Sequence, residues 1–109
     1  MLEYLLGNKT EEKVLFFISR YNEGYARNIA LTFGVSLDPV QKQLRRLEAG
    51  GVIVSRFYGK VLLYRFNPRY PFLAELKALI EKAFKFLPQN EVDKYYMRRT
   101  RPRKQGKAI

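Results

Sequence analysis

The sequence predicts an α+β fold that is mainly α, with one small β-hairpin and a long C-terminal helix. Three observations carry this. Before residue 50, apolar residues recur at helical spacing in three separate segments; residues 52–57 and 61–66 are β-branched and aromatic runs around Tyr58-Gly59-Lys60; and residues 72–87 hold an extended apolar stripe.

The first helix is expected over residues 10–21. Asn8 and Thr10 offer N-caps, Glu11 and Glu12 suit the positive first turn, and Val14, Phe17, Ile18 and Tyr21 follow at helical spacing before Asn22-Glu23-Gly24 stops the helix. A short second helix, 25–33, gathers Ile29, Ala30 and Phe33 on one face, and Gly34 supplies the left-handed stop of a tight turn. Ser36 or Asp38 then caps a third helix, with Pro39 in its first turn, where the missing N–H leaves no bond unmade. In that helix Val40, Leu44 and Leu47 share one side, Lys42, Arg45 and Arg46 project from the other, and Gln41 lies at the flank.

Gly50-Gly51 ends the third helix and a β-hairpin follows, its second strand broken by Asn67-Pro68. The fourth helix, expected to be the longest element, opens near Pro71 and carries Phe72, Leu73, Leu76, Leu79, Ile80, Ala83, Phe84 and Leu87 up to Pro88. Asn90 caps a brief further turn through Tyr95-Tyr96, after which MRRTRPRKQGKAI has almost nothing to bury. The expected division is therefore a folded domain over 1–88, including a dimerisation helix at about 70–87, and a basic, flexible tail over 89–109.

Composition narrows the chemistry. With no Cys and no His, disulfides, thiolate and imidazole chemistry and the commonest transition-metal ligands drop out, and the carboxylates form no paired constellation. Neither an enzyme nor a bound metal or cofactor is expected. No apolar run reaches the length of a membrane span, and the opening MLEYLLGNKT is too short in its apolar part for a secretory signal, so a cytoplasmic protein without membrane contact is expected.

The net charge of +11 is strongly segregated. Residues 39–69 hold seven basic groups against Glu48 alone, and residues 94–109 hold seven with no acid, while both remaining segments carry one more acid than base. Such blocks favour a polyanion, with nucleic acid ahead of an anionic membrane.

The order helix, short helix, turn, helix, hairpin, helix presents the third helix to a DNA major groove. Here the chain resembles the winged helix-turn-helix transcriptional regulators of the broad ArsR/MarR-like class, over roughly Leu5 to Leu87. LLGNKTEEKVL, VQKQLRRLEAGGVI and YRFNPRYPFLAELKALI are similar to small winged-helix proteins that occur alone or beside a nucleotidyltransferase domain, and the tail RRTRPRKQGKAI is similar to their basic endings. LRRLEAGGVI is shared by winged helices in general and marks the fold more than any one regulator. The resemblance implies a supporting helix at 25–33, a recognition helix at 36–49, a wing tip at Phe57-Tyr58-Gly59-Lys60, and repression by a dimer on promoter DNA.

Gln41 matches adenine and Lys42 or Arg45 guanine in the major groove. Ser36, Arg46, Arg56, Tyr58 and Lys60 are the expected backbone and wing contacts. Arg98, Arg99, Arg101, Arg103 and Lys104 form a basic arm for phosphates or a minor groove, where Arg101-Pro102-Arg103 resembles minor-groove hooks with Pro replacing their central Gly. Phe57, Tyr64 and Phe66 are read as core in preference to a stacking platform. Phe72, Leu76, Leu79, Ile80, Ala83, Phe84 and Leu87 are expected to pair two chains, because a domain this small cannot cover them all. Double-stranded DNA and a second copy are thus the expected partners; the competing readings are an RNA-binding module and a protein partner of a nucleotidyltransferase.

Overall fold

In the computed structural model, which describes residues 1–97, α2 (Lys9–Tyr21) runs through the middle of the domain. Five successive residues, Val14, Leu15, Phe16, Phe17 and Ile18, are buried on it, more than one helix face can supply. Their burial on all sides follows from α2's neighbours: the short helix α1 (Glu3–Leu6), α3 (Ala26–Phe33), α4 (Leu37–Ala49), α5 (Leu73–Phe84) and the second strand of the hairpin all pack on it. Each fully buried large side chain there contributes roughly 1.5–3 kcal/mol relative to exposure. Asn8 is the cap that starts α2, its Oδ1 accepting from the Glu11 N–H at 2.9 Å.

The hairpin pairs β1 (Ile53–Tyr58) with β2 (Val61–Phe66) antiparallel, from Ile53 opposite Phe66 to Tyr58 opposite Val61. Gly59 closes it at φ +61° while Lys60 keeps an ordinary negative φ, as in the type II′ turns that match strand twist. Gly24, expected only to stop a helix, has a second task. It exchanges two backbone hydrogen bonds with Tyr64, at 3.0 and 2.8 Å, and ties the hairpin to the loop before α3. A Cβ at Gly24 would lie 2.7 Å from the Phe17 ring, so only glycine allows this approach.

Mainly α with one two-stranded hairpin, the molecule has the α+β winged-helix fold that the sequence predicts. Several details differ. The short α1 escaped prediction, being a four-residue turn with no buried residue. α5 is not the longest element: it has 12 residues against 13 in α2 and in α4, because after Phe84 the chain tightens into i→i+3 turns before Pro88. Residues 89–96, where the sequence predicts a brief turn inside a flexible tail segment, form a helix whose end packs on the domain. α6 (Gln89–Tyr95) lays Tyr95 and Tyr96 on Phe33 and Phe84, with the Phe33–Tyr95 and Phe84–Tyr96 ring pairs each 5.0 Å apart. Arg20 and Tyr21 fasten its end, donating to the Tyr96 and Tyr95 carbonyls at 2.6 Å each. Aromatic side chains from distant segments complete this cluster, which local periodicity does not reveal.

Candidate nucleic-acid interface

On α4 the core side is consumed by Val40, Leu44 and Leu47. Gln41, Lys42 and Arg45 span about 100° of the opposite surface. Gln41 and Arg45 face the wing across a groove of about 600 Å³, which Arg27 of α3 and Lys60 of the wing turn also line. Glu48, the acid of that groove, accepts from the Ser55 N–H at 3.1 Å and the Ser55 hydroxyl at 2.7 Å, which binds its carboxylate to β1. The remaining side chains leave a concave surface with cations on both walls. Lys42 lies outside the groove, exposed, with Asp38 one turn earlier at 3.4 Å. In so exposed a pair the attraction is weak and Lys42 stays available to a stronger anion.

The expected backbone set divides. Ser36 sits exposed at the N-terminus of α4. Arg56 lies over the Tyr58 ring at 5.4 Å and donates to its hydroxyl at 3.2 Å, on the wing face turned away from Tyr64. Lys60 is exposed at the wing tip. Arg46, expected as a phosphate contact, has a partner within the protein. Its guanidinium donates to Glu11 at 3.0 Å, and Glu11 is only 7% exposed. Arg46 thus neutralises an acid at the α2–α4 junction, because one residue of helix turns it about 100° away from Arg45. The basic-arm residues Arg98, Arg99, Arg101, Arg103 and Lys104 lie outside the described residues.

The hairpin aromatics also divide. Tyr64 is buried and Phe66 partly buried against the core, as read from sequence, whereas Phe57 is 66% exposed and lines the groove. The hairpin projects beyond the helices at its turn, so a core-facing strand position near the tip has no core beneath it. Tyr25 and Arg27 are groove residues that the sequence reading missed. They lie in the segment without excess positive charge, and the signal that finds them is position: the start of the helix that precedes α4.

Of the proposed dimerisation set, Ile80 and Ala83 are buried in the protein's own core and Phe84 packs on Phe16 at 5.0 Å, so these three serve the fold of one chain. Leu76 and Leu87 also touch the core, while Phe72 is exposed and Leu79 half-buried. The apolar stripe leaves the core toward the N-terminal end of α5. Among the described residues there is no cluster of three or more His, Cys, Asp or Glu placed to hold a metal, and no helix long and apolar enough to cross a membrane.

No protein-family model matches the chain, and no curated protein matches it. Solved structures do. The crystal structure of the AntR antimony-specific transcriptional repressor is similar with a TM-score of 0.57 and 24% identity, over 77% of this chain and 78% of that one. The YusO protein from Bacillus subtilis is similar with a TM-score of 0.59 and 20% identity, over 84% and 73%. Lactococcus lactis ZitR, as an apo C30AH42A mutant, is similar with a TM-score of 0.55 and 17% identity, over 84% and 71%. At these identities the likeness is one of fold, and it agrees with the arrangement of helices and wing described above.

Proposed function

We propose that the chain is a sequence-specific double-stranded DNA-binding transcriptional regulator, a repressor acting as a dimer. The observation that carries this reading is the groove between α4 and the wing: Gln41 and Arg45 present base-reading groups, Arg27 and Lys60 add positive charge on opposite sides, and Glu48 is held by Ser55. A solved structure of similar fold is described as a transcriptional repressor, which supports the same direction.

In this reading α4 enters the major groove with Gln41, Lys42 and Arg45 at base edges, while Ser36, Arg27, Arg56 and Lys60 take phosphates. The basic arm adds sequence-independent affinity. Two chains joined through Phe72, Leu79 and their surroundings address half-sites about one DNA turn apart.

The test is enrichment of duplexes from a random-sequence pool by the full chain. Recovery of a two-fold symmetric motif with half-sites about 10 base pairs apart, centre to centre, is expected. A pool that remains random after repeated rounds contradicts the reading.

A further inference from the structure

Phe57 and Leu62 face each other in register on the inner surface of the wing, the surface that also carries the buried Tyr64. Single exposed apolar side chains on a protein surface are ordinary. Here they gather: Phe57, Leu62, Tyr25 and Leu37 line the same groove as the cations Arg27, Arg45 and Lys60. A lining that combines rings and methyl groups with cations is poorly matched to a uniformly polar ligand. It matches a polymer that alternates anionic groups with C–H surface, and the sugar-phosphate strand of a nucleic acid is such a polymer. With α4 in a major groove, the strand bordering that groove passes between α4 and the wing.

Building on the DNA-binding reading, we infer that this apolar patch, centred on Phe57, selects 2′-deoxyribose over ribose in the strand the groove holds. Phosphates lie at Arg27 and Lys60, Arg45 stays on a base edge, and the sugar rests on Phe57 and Leu62. A deoxyribose places a CH₂ group there. A ribose places a hydroxyl, which must shed water against the Phe57 and Leu62 side chains, neither of which has a donor or acceptor, and that loss is costly. The 2′-hydroxyl is the group by which a protein tells RNA from DNA at a defined sugar. Phe57 is then a specificity-determining residue that reads no base.

The experiment takes a duplex enriched from the random pool and introduces single ribonucleotides, one position at a time along both strands. Affinity of the full chain for each is measured by fluorescence anisotropy. For the unaltered chain, binding weakens about ten-fold, the equivalent of 1.4 kcal/mol, at one or two adjacent sugars in each half-site and is unchanged elsewhere. Phe57→Ala removes that discrimination and Phe57→Leu retains it. Arg45→Ala weakens binding to every duplex and leaves the ratio of deoxy to ribo affinity intact. Because Phe57 is exposed, its variants keep the parent's thermal melting, which shows that they are folded.

Tight duplex binding with no sensitive sugar overturns the inference and leaves the regulator reading standing, as does unchanged discrimination in Phe57→Ala. Failure to bind any duplex overturns both.

Discussion

Arg45 and Arg46 are adjacent in sequence and opposite in task. Arg45 faces the groove, and Arg46 donates to the buried Glu11. Arg46→Ala strands that carboxylate and is expected to cost roughly 1–3 kcal/mol of stability in denaturant melts. Arg45→Ala is expected to leave stability within about 0.5 kcal/mol and to weaken duplex binding instead. The reverse pattern contradicts both assignments. A second residue-scale expectation concerns Tyr96, whose phenol is pushed far above its ordinary value near 10, chiefly by burial. The unfolded chain releases that proton above about pH 10 and the folded chain does not, so the fold loses stability as pH rises beyond that point. Tyr96→Phe should flatten the alkaline arm of a melting-temperature profile relative to the parent, and an unchanged arm would remove Tyr96 from the account.

At the scale of elements, α6 closes the domain: Tyr95 and Tyr96 cover Phe33 and Phe84, and Arg20 and Tyr21 bind their carbonyls. Truncation after Leu87 is expected to cost about 3 kcal/mol or more, the scale of removing a large buried aromatic side chain, whereas truncation after Met97 leaves the melting temperature unchanged. Equal stability of the two truncated chains would show that α6 is dispensable. This element also marks where the sequence stops being legible. α2 to α4, the hairpin and α5 announce themselves through caps, glycine stops and apolar spacing, all encoded within a few residues. α6 is held by the Phe33 ring and by hydrogen-bond donors on Arg20 and Tyr21, all more than sixty positions earlier, whereas its local sequence offers only the Asn90 cap and a brief turn. The site divides in the same way. Gln41, Lys42 and Arg45 follow from helical phase alone, whereas Arg27 and Tyr25 join them through the packing of α3 beside α4. The role of Arg46 depended on burial at Glu11, to which a sequence gives no direct access.

At the scale of the whole molecule, the net charge of +11 and its concentration in two blocks imply an affinity for polyanions that falls steeply with salt. In the proposed dimer, the open end of the α5 stripe joins the two chains. Light scattering at micromolar concentration is expected to give twice the chain mass, reduced to one chain by Phe72→Glu combined with Leu79→Glu; a single-chain mass for the parent contradicts the dimer. Trimming after Met97 removes six basic residues and is expected to flatten the salt dependence of duplex binding, by about 0.9 in slope for each phosphate that is no longer neutralised. The most direct test of the central claim is fluorescence anisotropy of the full chain, across salt, against its enriched duplex, a scrambled duplex and an RNA duplex of the same sequence. The account predicts that the enriched duplex binds at least about a thousand-fold more tightly than the scrambled one near physiological salt, and that RNA falls with the scrambled duplex. Equal, steeply salt-sensitive binding to all three would contradict it.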